Sequence, residues 1–160
     1  MKIVIINGPN LNLLGRREVS IYGTKSMEQV LVDIQRAYPD VHFEYRQSNH
    51  EGDLIDWVQG YGLEDASLLF SGRPEGYGLE VKGVILNAGG YTHTSVALRD
   101  AVACCDIPVV EVHISDITKR EEFRRISLLT DVCAHTIMGH GTDGYQEAVE
   151  WIMERGEIRE

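Results

Sequence analysis

The stretch Lys2-Ile3-Val4-Ile5-Ile6, followed by Asn7-Gly8-Pro9, decides the fold of this chain. A short continuous apolar run that ends in turn-forming residues is typical of a strand buried on both faces. The same pattern returns at Val84-Ile85-Leu86, which ends at Asn87-Ala88-Gly89-Gly90. Strands of this kind belong to parallel sheets that helices cover on both sides.

Segments with helical periodicity alternate with such strands along the chain. The patterns predict helices over 26–38, 51–62, 94–105 and 143–154, and further strands over 41–46, 107–112 and 132–138. Ser26 and Gln29 have capping-box spacing, and Tyr145, Ala148 and Ile152 share one face of the last helix. Right-handed crossovers leave few topologies, so we expect an α/β, flavodoxin-like three-layer sandwich with a five-stranded parallel sheet, formed by residues 1–160 as a single domain.

The composition is that of a globular chain of 160 residues, of which 43% are hydrophobic and 25% charged. A formal net charge of -10 makes phosphate backbones and anionic lipids poor partners, so we expect no nucleic acid and no membrane to bind. No apolar run approaches the roughly 20 residues that span a bilayer, and the chain does not begin with a signal-peptide pattern.

The chain contains 3 Cys without framework spacing, which argues against a secreted disulfide scaffold. We therefore predict a cytoplasmic location. Cys104 and Cys105 lie in an apolar helical pattern, so the pattern favours buried structural thiols at both positions.

Polar side chains are concentrated in the segments that follow the predicted strands. Ligands of an open parallel sheet bind beyond the carboxyl ends of its strands, at the switch in strand order, where these segments meet. Each residue also has a structural interpretation, as a turn former, a cover for the core or a solvated helix face. The side chains are Asn7, Asn10, Asn12, Arg16, Arg17 and Tyr22 after the first strand, Asn87 and His93 after the third, and Arg120 and Arg124 beyond the fourth.

Glu111 and His113 interrupt the apolar run of the fourth predicted strand and share one of its faces. Burial of either group without a partner is costly. A carboxylate that orients an imidazole satisfies both groups and also tunes a histidine for acid–base chemistry. We therefore predict a contact between these two side chains.

Cofactor motifs are incomplete in this chain. The loop 8–15 lacks the Gly-Lys-Ser/Thr ending of a nucleotide-binding loop, and no paired His spacing indicates a metal site. Gly139-His140-Gly141-Thr142-Asp143-Gly144 matches G-x-G-x-x-G, but no strand follows to complete a βαβ unit. Close packing between helix and strand explains these glycines better, so none of these motifs predicts a bound nucleotide or metal.

Five motifs follow one another in the order that a known family shows, from about Lys2 to the last helix. They are Gly8-Pro9-Asn10-Leu11-Asn12-Leu13-Leu14-Gly15-Arg16-Arg17-Glu18 with Tyr22-Gly23, Gln47-Ser48-Asn49-His50-Glu51-Gly52, Asn87-Ala88-Gly89-Gly90-Tyr91-Thr92-His93-Thr94-Ser95, Glu111-Val112-His113-Ile114-Ser115 and Arg120-Glu121-Glu122-Phe123-Arg124. Together they resemble the type II 3-dehydroquinate dehydratases. The resemblance implies a flavodoxin-like lyase that dehydrates 3-dehydroquinate through an enolate, in the shikimate pathway or in quinate breakdown. It also implies a small anionic substrate, no cofactor, and a homododecamer of four trimers.

By the same resemblance, Tyr22 is the general base and His113 the general acid, supported by Glu111. We expect Arg17, which shares a loop with Tyr22, to favour the ionised form of that tyrosine. Asn10 with a bound water is expected to donate to the enolate oxygen, and the segment 14–23 to act as a lid. Further substrate-binding positions are Asn87, His93, Arg120, Arg124, the backbone amides of Ile114 and Ser115, and Asp100, which matches a residue that reaches a neighbouring subunit's site.

Three features depart from the pattern of the family. The segment 67–82 is longer, Thr118 stands where the family often has His, and 126–131 differs from the usual His-Ser-Tyr run. Two other classes of protein stay open, namely a non-catalytic module for a small polyol acid and an assembly protein with polar interface residues. The binding module would share Asn87, His93 and Arg124 but would not need Tyr22 or the pair of Glu111 and His113.

Overall fold

The computed structural model describes residues 1–64 and 80–157. Strands and helices alternate in it, and short 3₁₀ turns at Leu11–Leu13, Gly89–His93, Ile117–Lys119 and Glu122–Arg124 lie in the connections. The elements are β1 (Lys2–Asn7), α1 (Val19–Tyr22), α2 (Met27–Ala37), β2 (His42–Gln47), α3 (Glu51–Gly62), β3 (Val81–Asn87), α4 (Val96–Ala103), β4 (Val109–His113), β5 (His135–Met138) and α5 (Asp143–Glu157).

The five strands form one parallel sheet in the order β2-β1-β3-β4-β5. This is the flavodoxin-like order, so the predicted fold class is confirmed. The strand order reverses at β1 and β3, and Asn7 and Asn87, their last residues, are partners in register. The loops that follow β1 and β3 therefore face each other at the carboxyl edge of the sheet.

The core lies on both faces of the sheet, which explains why its central strands are apolar throughout. Ile3 and Ile5 of β1 pack with residues of α2 and α5, while Val4 and Ile6 pack with residues of α3 and α4. All four side chains are fully buried. Burial of one such side chain contributes about 1.5–3 kcal/mol, so both faces of β1 stabilise the fold.

Several helix ends follow the signals in the sequence. The Ser26 hydroxyl accepts a hydrogen bond from the backbone N–H of Gln29 at 3.2 Å, so the predicted cap of α2 is confirmed. The helix α3 has the predicted bounds. Tyr145, Ala148 and Ile152 of α5 are buried, as their shared face predicts.

Other boundaries differ from the prediction. The helix α4 is shorter because Ser95 caps it, accepting from the N–H of Leu98 at 2.9 Å. The strand β5 has only four residues because the chain turns before it, with the N–H groups of Val132 and Cys133 donating to the Leu129 carbonyl. One turn of helix, α1, occupies the end of the segment 14–23, for which no helix was predicted.

The predicted burial of Cys104 is wrong, because this residue ends α4 at the surface and its side chain is exposed. Cys105 is partly buried, with its thiol 3.7 Å from the Val58 carbonyl. The segment 67–82 lies largely outside the described residues, except that Val81 and Lys82 belong to β3. None of the helices in the described part of the chain is long and apolar enough to cross a membrane.

Candidate active site

Tyr22 ends the short helix α1, and its phenol oxygen meets two guanidinium groups. Arg17 Nη2 lies 3.3 Å from this oxygen and Arg120 Nη1 lies 3.1 Å from it. The Arg17 guanidinium also lies over the tyrosine ring, 4.3 Å from its centroid. Two guanidinium groups therefore donate hydrogen bonds to one phenol oxygen. Arg17, which shares a loop with Tyr22, therefore contacts its phenol oxygen, and Arg120 contacts the same atom.

Arg120 connects Tyr22 to the end of β4. Its Nη1 also donates to Ser115 Oγ at 3.2 Å, and Ser115 lies two residues beyond His113. The hydrogen bond to Tyr22 is the largest cause of a raised pKa for the Arg120 guanidinium. Sequence reasoning placed Arg120 only at the substrate, because a contact between residues 98 positions apart leaves no local spacing to detect.

Glu111 and His113 lie on one face of β4 and are 0% and 5% exposed. His113 Nε2 and Glu111 Oε1 are 2.5 Å apart, so the predicted contact between them is present. Because Nε2 is engaged with the carboxylate, Nδ1 is the ring nitrogen that remains for proton transfer.

The carboxylate of Glu111 accepts several further hydrogen bonds. Burial by itself raises the pKa of Glu111, but hydrogen bonds from His113, Ser127 and Thr130 outweigh burial and lower this pKa from 4.5 to about 2. A carboxylate with such a pKa is anionic at neutral pH and accepts hydrogen bonds through both of its oxygens. The hydroxyl donors, which no local sequence pattern marks, belong to Thr92, Ser127, Thr130 and Thr136.

Asn10 lies exposed at the carboxyl edge of the sheet in an uncommon backbone conformation, with φ at 67°. Its N–H donates to Asn49 Oδ1 at 3.0 Å, and the Asn49 carbonyl accepts from the Tyr91 hydroxyl at 2.8 Å. Asn is among the few residues that tolerate this left-handed region. The loops after β2 and β3 therefore position Asn10, a role for Asn49 that sequence reasoning missed.

Asn87 is almost fully buried, and its side-chain amide holds the strand ends together. Its Nδ2 donates to the Tyr145 hydroxyl at 3.1 Å, and its Oδ1 accepts from the N–H of Gly89 at 3.2 Å. The Tyr145 hydroxyl in turn donates to Asn7 Oδ1 at 2.8 Å. An amide carries two N–H donors, so one donor of Asn87 is left for a ligand.

His93 and Arg124 come from the loops after β3 and β4. His93 Nδ1 lies 2.8 Å from the Ile126 carbonyl, which can only accept, so Nδ1 carries the proton and Nε2 is left for a ligand. Arg124 Nε is buried 3.3 Å from Glu121 Oε2 without forming a hydrogen bond among the described residues. Asp100 is 67% exposed in the middle of α4, and no contact in the described part of the chain brings it to Tyr22 or His113.

The positions that depart from the family pattern have local partners. Thr118 donates to Asp116 Oδ1 from its N–H at 3.0 Å and from its hydroxyl at 2.6 Å, which caps the 3₁₀ turn leading to Arg120. The segment 126–131 supplies Ser127 and Thr130 to Glu111. Thr118 and the segment 126–131 therefore both lie beside the site.

The glycines of the G-x-G-x-x-G match pack against β4. The N–H groups of Gly139 and Gly141 donate to the carbonyls of His113 and Ile114 at 3.3 and 3.0 Å. A Cβ at Gly144 would lie 3.3 Å from side-chain atoms of Ile137 and Val112, which agrees with close packing between helix and strand. Among the described residues, no group of three His, Cys, Asp or Glu side chains could hold a metal ion.

The fold and the site together define a class of protein. A parallel α/β sheet carries, at its carboxyl edge, a tyrosine between two arginines and a buried pair of carboxylate and imidazole. Groups that can take a proton and give one back, brought together at one edge of a sheet, are typical of enzymes that work by acid–base catalysis.

The particular family follows from comparison with known proteins. The family model described as "Dehydroquinase class II" matches residues 1–153, and the chain belongs to this family. A 3-dehydroquinate dehydratase from Exiguobacterium sp. is 46% identical over 155 residues, which are 96% of this chain and 95% of that protein. A 3-dehydroquinate dehydratase from Fusobacterium nucleatum is 44% identical over 159 residues, covering 96% and 97% of the two chains. The crystal structure of type II dehydroquinase from Butyrivibrio crossotus has a TM-score of 0.81 and 40% identity, covering 95% of this chain and 97% of that one.

Proposed function

We propose that this chain removes water from 3-dehydroquinate to give 3-dehydroshikimate, in the shikimate pathway or in quinate breakdown. Membership of the family and the names of its relatives support this reaction. The observation that carries the proposal is the contact between the Tyr22 oxygen and two arginines, one of which also binds Ser115 beside the pair of Glu111 and His113. Residues 1–160 carry out the reaction as one domain, without a metal or an organic cofactor.

Tyr22 acts as the general base in the proposed mechanism. A proton on the carbon next to a ketone is weakly acidic, so the base must be strong, as a tyrosinate is. Arg17 and Arg120 stabilise that anion through the contacts at 3.3 and 3.1 Å. The phenolate takes the proton, and the electron pair left on carbon moves to the ketone oxygen to form an enolate.

Asn10 stabilises this enolate through its side-chain amide and a bound water. Donors that are already in place where charge develops account for much of the rate gain in enzymes. The hydrogen bond from the Asn10 N–H to Asn49 Oδ1 holds the Asn10 backbone, and the exposure of Asn10 at the sheet edge leaves its amide accessible to substrate.

His113 acts as the general acid. When the enolate returns to the ketone, a carbon–carbon double bond forms and the bond to the tertiary hydroxyl breaks. Nδ1 of His113 gives its proton to this hydroxyl, which leaves as water. The amides of Ile114 and Ser115 bind the substrate carboxylate, while Asn87, His93, Arg120 and Arg124 line the rest of the site.

The segment 14–23 closes over the bound substrate and brings Arg17 and Tyr22 into place. Gly15 and Gly23 stand near its two ends with φ at 85° and 78°. These left-handed conformations favour glycine, so the two residues suit the ends of a moving lid.

Absorbance of the conjugated enone product tests the proposed reaction directly. We expect turnover with the full-length chain, and a loss of about a thousandfold or more in kcat for Tyr22→Phe with substrate still bound. Tyr38→Phe is the matched control, because the Tyr38 hydroxyl contacts Glu150 rather than the site. Substrate binding without any absorbance change would favour the alternative, a non-catalytic module for a small polyol acid.

The proposed assembly is a cytoplasmic homododecamer of four trimers in which Asp100 reaches a neighbouring site. Phe123 and Ile126 are 71% and 73% exposed on the loop beside Arg124, and Val96 is exposed on the helix that carries Asp100. Large apolar side chains grouped near a site suit an interface between copies of one chain. Light scattering of the purified protein measures the number of subunits.

A mixing experiment tests the shared site. Tyr22→Phe and Asp100→Asn chains are each expected to have little activity, whereas oligomers reassembled from both contain sites with Tyr22 from one chain and Asp100 from another. We expect activity to return on mixing. Activity that stays at the mean of the two variants would contradict a site built from two subunits.

A further inference from the structure

Four hydroxyl groups surround the buried carboxylate of Glu111. Oε1 accepts from Thr92 at 3.0 Å and from Ser127, and Oε2 accepts from Thr130 at 2.9 Å and Thr136 at 3.0 Å. Together these four residues form a hydroxyl cage around the carboxylate. They come from the loop after β3, the segment before β5, and β5 itself.

The hydroxyl cage and His113 together fill the acceptor sites of the carboxylate. An ionised carboxyl group has about four lone-pair sites. His113 and Ser127 occupy Oε1, while Thr130 and Thr136 occupy Oε2. Thr92 lies 2.7 Å from Ser127 and serves either that hydroxyl or Oε1. A further proton on Glu111 would have to displace one of these donors.

Two titratable groups face the carboxylate of Glu111. His113 on β4 is its one ion-pair partner among the described residues. Cys133, in the turn before β5, has a pKa that burial and the nearby charge of Glu111 raise well above the usual range, so this thiol stays neutral. The charge of Glu111 is therefore balanced by the imidazole alone within the described part of the chain.

We propose that the hydroxyl cage keeps Glu111 anionic and thereby keeps the transferable proton on His113. This inference rests on the proposed function, in which His113 is the general acid. A bare buried carboxylate 2.5 Å from an imidazole competes with it for the shared proton. Four hydroxyl donors make the carboxylate less basic, so the proton stays on Nε2 and the ring keeps its positive charge.

The positive ring is the stronger acid. Nδ1 of an imidazolium gives its proton readily to the departing hydroxyl, which leaves as water, whereas Nδ1 of a neutral imidazole does not. Before the next turnover, the neutral His113 takes a proton from solvent and Tyr22 releases to solvent the proton that it took from the substrate. The cage residues act through Glu111, so they are positioning residues and not catalytic ones.

The same segment also holds a substrate-binding residue. The carbonyl of Ile126 accepts from His93, and the N–H of Leu128 donates to the Thr92 carbonyl at 2.8 Å. The segment that departs from the family pattern thus fixes the tautomer of His93 and supplies two members of the hydroxyl cage.

A double variant tests the proposal through the protonation of His113. Thr130→Val with Thr136→Val removes both donors of Oε2 and leaves the contacts of Oε1 intact, at nearly constant side-chain volume. Thr130→Ser with Thr136→Ser is the matched control, because it keeps both hydroxyls. The full-length chain is labelled with 15N-histidine, and the His113 signals are assigned by comparison with His113→Gln.

We expect both ring nitrogens of His113 to be protonated at pH 7 in the wild type and in the serine pair. In the valine pair, the Nε2 signal moves toward the value of an unprotonated nitrogen. An Nε2 signal that does not move in the valine pair would overturn the proposal. If the valine pair does not fold, the single variants Thr136→Val and Thr136→Ser give the same readout.

Kinetics supply the second measurement. We expect kcat of the valine pair to fall about tenfold or more with KM within about twofold, and the serine pair to stay within about twofold of wild type. A fall in kcat with an unmoved Nε2 signal would indicate a merely structural role and contradict the proposal. A wild-type chain without turnover would contradict the proposed function, while the 15N signals would still decide whether the hydroxyl cage holds the proton on His113.

Discussion

Two glutamates of the same sheet are held as anions by very different partners. Glu44, on the edge strand β2, contacts Lys2 and Arg46 and accepts from the Tyr61 hydroxyl. Glu111, on β4, contacts an imidazole and the hydroxyl cage. In both cases burial raises the pKa of the carboxyl, and the partners outweigh burial and lower it.

The difference lies in what the positive partner can do. Arg46 stays protonated throughout the physiological range, and it and Lys2, which is 1% exposed, form ion pairs with Glu44. The partner of Glu111 is an imidazole, a group that can give up a proton and take one back during a reaction. The same lowering of a carboxyl pKa therefore serves stability at β2 and proton transfer at β4.

The largest expected effect separates the two carboxylates by turnover. Glu111→Gln removes the charge that holds the proton on His113, and we expect kcat to fall about a hundredfold or more. Glu44→Gln changes a cluster with no contact to the site among the described residues, and we expect kcat within about threefold of wild type. Enone absorbance under saturating substrate measures both. Equal losses of kcat in the two variants would contradict a role in proton transfer that belongs to Glu111 and not to Glu44.

The second expected effect is a loss of stability when the charge of Glu44 is removed. Glu44→Gln leaves two cations without their counter-charge, one of them buried, and we expect a loss of about 3–5 kcal/mol in the free energy of unfolding. The exposed pair of Lys25 and Asp33, 2.8 Å apart, is the control, and Lys25→Gln should cost less than about 1 kcal/mol. Denaturant unfolding at one fixed protein concentration measures all three chains. If Glu44→Gln lowered the free energy of unfolding no more than Lys25→Gln does, the Glu44 cluster would not stabilise the fold.

The two clusters also differ in how far the sequence predicts them. Glu111 and His113 interrupt an apolar strand with a spacing of two, which places them on one face and predicts their contact. Lys2 and Glu44 stand in ordinary strand patterns, and only the pairing of β1 with β2 under α3 buries them together. The hydroxyl cage is equally hidden, because short polar residues are also the commonest turn formers.

In the rest of the molecule, too, the sequence predicts the strands but not the contacts between distant loops. The order of the strands follows from apolar runs and from the handedness of crossovers, which are local and general rules. The contact of Arg120 with Tyr22 depends on how two loops approach each other across the sheet edge. Resemblance to a family identifies such residues as candidates for the site. Which of them contact each other is decided by tertiary packing.

The third expected effect is a pH dependence of stability. Both carboxyls have folded-state pKa values below their usual 4.5, that of Glu111 about 2. Their contribution to stability is therefore fully present above about pH 5 and is lost as pH falls through the folded-state pKa. Each carboxyl adds up to about 1.4 kcal/mol per pH unit to the slope of unfolding free energy against pH in this window. Glu44→Gln and Glu111→Gln should each reduce this slope, measured by unfolding between pH 5 and pH 3. A slope unchanged in either variant would mean that its carboxyl titrates alike when folded and unfolded.

The smallest expected effect compares one hydroxyl at each carboxylate. Burial and the charge of Glu44 raise the pKa of Tyr61 well above its usual range, so this phenol stays a neutral donor, as the Thr136 hydroxyl is. Tyr61→Phe and Thr136→Val each remove one hydrogen bond to a charged group, which costs about 1.5–3 kcal/mol at most. We expect the two variants to lose similar amounts of unfolding free energy. Their kcat values should differ, with kcat unchanged for Tyr61→Phe and about threefold lower for Thr136→Val. Because each variant deletes one hydroxyl that donates to a carboxylate, a difference in kcat would come from the other partners of that carboxylate, an imidazole at Glu111 and a lysine and an arginine at Glu44.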